Sequence, residues 1–252
     1  MPQTSPRILA ALREEIARLE AGARRDRSHL PFGIESVDRR LPGGGLALGA
    51  LHEFAGGGDG ALHGCAPALF AAGVAARTHG QVLWCVTRSD LFAPALEQAG
   101  LSSNRVIYVE AEDEASVLAC MEEGLRHRGL GCVVGEVSRL SMTASRRLQL
   151  AAESAGVTGL VVRRWRRPAE VADFGQPTTA LTRWRITPVP SAALPVAGVG
   201  RARWAVELIR CKGGDRADFE LDACDDQGRL ALPAELADRS RAPSAGRRRA
   251  AA

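Results

Sequence analysis

The residues best suited to chemistry lie between positions 51 and 64. Leu51, Glu53 and Phe54 suit a short strand. Gly56, Gly57, Gly58 and Gly60 then make a turn in which successive backbone N–H groups can converge on an anion. An apolar, helix-like run follows over 66–76, so strand, glycine turn and helix succeed one another as in a phosphate-binding loop. Such a loop needs an ammonium for the terminal phosphates and a hydroxyl for the accompanying Mg²⁺. Those two places are filled by Leu62 and His63, and the one lysine of the whole chain is the distant Lys212. The turn has the shape of a nucleotide site and lacks its charge.

A second group is basic. Arg163, Arg164, Trp165, Arg166 and Arg167 form the densest basic run in the part expected to fold, and Arg183–Trp184–Arg185 and Arg201–Ala202–Arg203–Trp204 repeat the mixture. Arginines among aromatic rings suit single-stranded nucleic acid, through phosphate contacts and base stacking. The plainer reading buries each tryptophan and turns the arginines to solvent, since strands alternate sides. For the cluster as a whole we expect a DNA or partner surface made of Arg163, Arg164, Arg166, Arg167, Arg183 and Arg185. His63 and Cys65 are close enough to tempt a metal proposal, but no second pair supports one, and no metal is expected. The six cysteines form no C-x-x-C pair and several sit in apolar runs, which reads as buried free thiols in a reducing cytoplasm. His52 and His127 have no neighbours in sequence that suggest catalysis.

The elements that must position these residues follow from periodicity. A helical stripe (Ile8, Leu9, Leu12, Ile16, Leu19) marks residues 1–27 as an N-terminal helix, either packed on its own domain or docking another subunit through Leu12 and Ile16. Strands are expected at 81–87, 105–111, 131–137 and 159–165, and helices at 66–79, 91–99, 114–128 and 143–155. This alternation indicates an α/β fold with a mostly parallel sheet. Residues 166–180 read as a long loop, and the remainder as antiparallel strands closing with a hairpin over 218–232 turned by Asp225-Asp226-Gln227-Gly228. The core is expected to span 28–236, and 237–252, with Arg247 to Arg249, to be a disordered basic tail. With 252 residues, 33 basic against 29 acidic side chains and a net charge of +4, overall charge does not by itself argue for nucleic acid. No long apolar run suggests a signal peptide or a membrane span, so a cytoplasmic protein is expected.

The stretch LPFGIESVDRRLPGGGLALGALHEF resembles the opening of the RecA ATPase core. Leu30, Gly33, Ile34, Val37, Asp38, Gly43, Gly44, Gly45, Leu46, Gly49, Glu53 and Gly56 match its pattern, and the resemblance covers residues 28–215. The missing lysine, the length and the tail are similar to the ImuA family, RecA-like accessory proteins of bacterial damage-induced mutagenesis. The resemblance implies a RecA-like core with a mostly parallel central sheet flanked by helices and antiparallel C-terminal strands. It also implies an SOS-induced role in translesion DNA synthesis beside ImuB, a Y-family-like protein, and an error-prone DNA polymerase. Single-stranded DNA, self-association through the N-terminal helix and no membrane complete the expected partners. Against the family pattern, Ser89 stands where a water-activating glutamate belongs, with Asp90 adjacent, and Glu136 is the remnant of the Mg²⁺-associated acid. No ATP hydrolysis is therefore expected, no cofactor, and nucleotide binding only as a lesser alternative. Two other readings stay open: an active RecA-like DNA-dependent ATPase or recombinase that borrows an arginine from a neighbouring subunit, and a cell-division inhibitor like SulA, against which length and a complete core argue.

Overall fold

The computed structural model describes residues 27–58, 60–165, 167–191, 194 and 198–233, the side chains at 60–62 excepted. The expected N-terminal helix with Leu12 and Ile16, Arg166, and the basic tail lie outside the described residues.

A small ribbon opens the fold, with β1 (His29–Leu30) antiparallel to β2 (Leu46–Ala47) and a single helical turn α1 (Glu35–Asp38) between them. The Asp38 carboxylate accepts from the backbone N–H of Phe32 (2.7 Å) and Gly33 (2.9 Å), which ties this segment into a closed turn. Gly33, Gly43 and Gly44 take positive φ there, so the glycines of the motif are required by backbone geometry.

The main sheet has eight strands: β3 (Leu51–Gly56), β4 (Gln81–Val86), β5 (Val106–Glu110), β6 (Leu130–Val137), β7 (Thr158–Arg163), β8 (Thr182–Val189), β9 (Arg203–Cys211) and β10 (Ala217–Asp222). Their order is β10-β9-β8-β3-β7-β6-β4-β5. The six from β8 to β5 are parallel, and β9 and β10 are antiparallel additions at one edge. β8 thus departs from the expected antiparallel end: it runs parallel to β3, and only the two strands after it reverse. The closing hairpin shrinks to a single bridge between Asp222 and Ala231.

Helices α2 (Gly60–Ala76) and α3 (Ala93–Gln98) cover one face, and α4 (Glu114–Arg126) and α5 (Met142–Ala155) the other. Each end has a local cause. Asp113 and Ser141 cap α4 and α5 by accepting from Ser116 N and Ala144 N, and Gly156 at φ 76° ends α5. Met121 packs onto the bare backbone of Gly135, where a Cβ would lie 2.1 Å from its sulfur, and this lets α4 sit close on β6. Phe32, Phe54, Phe70 and Trp184 form one aromatic cluster under α2, with Trp204 against Phe70. The expected loop at 166–180 contains a helical turn, α6 (Pro168–Val171), and a 3-10 turn at Ala172–Gly175. Among the described residues no helix is long and apolar enough to cross a membrane.

Candidate functional site

The glycine turn stands at the carboxyl end of β3, where open parallel sheets gather their ligands. α2 begins at Gly60, within the glycine run, so Leu62 and His63 fall in its first turn. None of the loop glycines has positive φ. They are demanded by proximity: a Cβ on Gly56 would lie 2.0 Å from the His63 carbonyl oxygen, and one on Gly57 2.3 Å from Thr187 Oγ1. The His63 ring lies against Gly58, and its Nδ1 is buried with no hydrogen-bond partner. The arc that would cradle phosphate is thus packed by an imidazole.

Glu136, at the carboxyl end of β6, is 5 % exposed. Its Oε1 accepts from Trp84 Nε1 at 3.0 Å and its Oε2 from Arg164 Nη1 at 2.6 Å. Arg164 also donates to Asp90 through both terminal nitrogens, at 2.8 and 3.1 Å. Burial works against its charge, but Glu136 and Asp90 outweigh burial and raise its pKa. A Cβ on Gly64, next to His63, would sit 3.6 Å from Arg164 Nε. The guanidinium therefore lies between the remnant acid and the start of α2. Ser89 donates to Glu110, at the end of β5. Fold and motif together imply a magnesium-bound nucleotide. The donor set does not fit one: Leu62 brings no ammonium, His63 no hydroxyl, and Glu136 is engaged by an internal cation.

The expected DNA or partner surface is corrected at several positions. Arg163 is 1 % and Arg183 6 % exposed, so neither is surface. β7 and β8 flank β3, and their alternation turns both side chains onto the buried Glu53. Arg163 Nη1 lies 2.7 Å from Glu53 Oε1, Arg183 Nε forms an ion pair with Glu53 Oε2 at 2.9 Å, and Thr178 donates to that same oxygen at 2.9 Å. Arg163 also bonds Asp173 and the Ser138 carbonyl, and Arg183 the carbonyls of Phe174 and Gln176. Arg164 is half-buried, its side chain 30 % exposed, and is paired with Glu136 and Asp90. Arg167 is exposed and precedes α6, where its backbone N–H donates to Glu170 at 3.3 Å. All four tryptophans are buried, which removes the base-stacking reading for these rings.

Arg185 keeps its place on an open surface. It faces Glu207 at 3.3 Å and lines a cleft of roughly 440 Å³ beside Gly56 and Gly57. The cleft also takes in Trp165, Phe174, Arg210 and Arg216, and among the described residues no carboxylate lines it. The Phe174 ring carries the Arg183 guanidinium at 4.5 Å. Arg210 and Arg216 lie outside the basic runs of the sequence; β8–β9 pairing sets Arg210 opposite Arg183, and the β9–β10 turn carries Arg216 here.

Of the six free cysteines, Cys85 and Cys132 are fully buried and Cys65 is exposed. Burial pushes the Cys85 thiol up to about 12. Among the described residues no three His, Cys, Asp or Glu side chains are placed to hold a metal ion.

Comparison with known proteins defines first a class. The fold is similar to that of the crystal structure of the RadB recombinase, with a TM-score of 0.52 at 16 % identity, covering 81 % of this chain and 99 % of that one. This is the RecA-like recombinase fold. No family model matches the sequence. The chain is 41 % identical over 215 residues to protein ImuA from two strains of Caulobacter vibrioides, covering 81 % of this chain and 87 % of each relative. The chain belongs to the ImuA family.

Proposed function

We propose that this chain is a non-catalytic RecA-like adaptor in SOS-induced, error-prone translesion DNA synthesis. It works in the cytoplasm with ImuB and an error-prone DNA polymerase. Membership of the ImuA family supports the setting. The single observation that supports a non-catalytic role is the state of the loop: Leu62 and His63 stand at the cation-bearing positions, and Glu136 is engaged by Arg164 at 2.6 Å. Phosphoryl transfer is almost wholly positioning and charge stabilisation. A loop without an ammonium or a free metal-side carboxylate has little to offer it.

Single-stranded DNA belongs, in this reading, to the cleft lined by Arg185, Arg210 and Arg216 rather than to the arginine run first expected. The test of the adaptor role is co-purification with ImuB and the polymerase after DNA damage, with and without nucleotide depletion. Capture of both, unchanged by depletion, supports the proposal. Capture of neither, or capture that requires ATP, overturns it.

A further inference from the structure

The magnesium-bound nucleotide implied by the fold does not fit this chain, and the reason lies in one residue rather than in the lost lysine alone. In a working loop, a hydroxyl at the position of His63 and the acid at the position of Glu136 would hold the metal. The Arg164 guanidinium lies between those two places, beside Gly64; its Nη1 donates to Glu136 at 2.6 Å, and Nη1 and Nη2 together are bidentate to Asp90. Glu136 has one oxygen on Arg164 and the other on the Trp84 indole, so both are engaged. Below them, the pocket lined by Val86, Asp90, Glu114, Glu136 and Arg164 has a volume of only about 20 Å³, room for one water.

We infer that Arg164 is a built-in counter-ion that takes the place of the nucleotide's metal, so that the ligand end of the sheet is complete without any nucleotide. The guanidinium joins three elements that a bound Mg²⁺-nucleotide would otherwise organise: β6 through Glu136, the β4–α3 connection through Asp90, and the first turns of α2 beside Gly64. This deepens the adaptor reading, since a fold that carries its own cation presents one surface whatever the nucleotide supply. It does not depend on which partners are bound.

The experiment is thermal unfolding of the full chain, alone and with millimolar Mg²⁺, Mn²⁺, ATP or Mg-ATP, for the wild type, Arg164→Ala and Arg164→Gln. The wild type should show no shift with any addition. Each variant takes the Arg164 guanidinium from Asp90 and Glu136 and should melt about 4–10 °C lower. Each should regain part of that loss with Mn²⁺ or Mg²⁺, but not with the same ionic strength of NaCl. Should Arg164→Ala fail to fold without additions, recovery of folded protein by Mn²⁺ is the same result, and Arg164→Gln, which keeps most of the volume, is read in parallel. Variants as stable as the wild type, variants that divalent cations do not help, or a wild type stabilised by Mg-ATP would each overturn the inference. Failure of the adaptor reading is distinguishable, because it appears as ATP turnover or loss of partners and not in these melting curves.

Discussion

At the scale of single residues, the polar groups buried at the amino end of β3 are arranged so that most protons have one place to go. His52 is fully buried. Its Nε2 donates to the Ala47 carbonyl (2.8 Å), so its Nδ1 must accept from Thr182 Oγ1 (2.7 Å), which itself accepts from Trp184 Nε1 (2.7 Å). The chain has no room for a second ring proton. Burial, more than any neighbour, lowers the His52 pKa from 6.5 to about 4. The unfolded chain therefore binds a proton between pH 6.5 and about pH 4 that the folded chain refuses. The stability this group contributes is whole above pH 6.5 and is lost as pH falls toward 4. The loss amounts to at most about 3.5 kcal/mol, taking roughly 1.4 kcal/mol per unit. His52→Gln, which keeps a donor and an acceptor, should melt with a flatter pH profile across this window. Equal slopes in the two proteins would assign the acid sensitivity to other groups.

At the scale of elements, the sequence disclosed most strands and helices because long apolar runs such as Leu130–Val137 can be little else than buried strand. It could not disclose the direction of β8, since alternation is the same for parallel and antiparallel pairing. Nor could it disclose the arginines' partners. Arg163 and Arg183 meet a glutamate 110 and 130 residues away, and density of charge along the chain looked like a surface until β3 was seen between β7 and β8. The segment at 166–180 reads as loop because its helical turn is four residues long, too short to show a period. The stitched segment Ala172–Gly175 forms one wall of the arginine cleft, and β9 and its turn form the other. For the proposed DNA contact, the double change Arg210→Ala and Arg216→Ala should weaken binding of a single-stranded oligonucleotide and reduce the slope of log K against log salt by about 1.4, near 0.7 per phosphate contact. Folding should weaken only slightly, by about 1 kcal/mol, since Arg216 is exposed and the half-buried Arg210 gives up one hydrogen bond to the Thr178 carbonyl. Unchanged affinity and slope would place DNA elsewhere or leave it to the partners.

At the scale of the molecule, one sheet carries everything discussed. The parallel strands bring the glycine turn, Glu136, Arg164 and the cleft to their carboxyl ends, and the two antiparallel strands widen that end on one side. The RecA-like class was legible from the 30–54 stretch, whose Asp38 and positive-φ glycines build the entry ribbon. The loss of the lysine was legible too. The replacement of the metal by Arg164 was not, because it depends on β6 and β7 being neighbours and on a side chain reaching Asp90, 74 residues away. In the proposed adaptor role, this RecA-like fold works without turning over ATP. That role is tested most directly by phosphate release from purified protein, with and without single-stranded DNA. The account predicts release no greater than buffer, and no gain from Leu62→Lys with His63→Thr, since Ser89 still stands where a water-activating carboxylate belongs and Arg164 still holds Glu136. Turnover by the wild type that Glu136→Gln abolishes would contradict it.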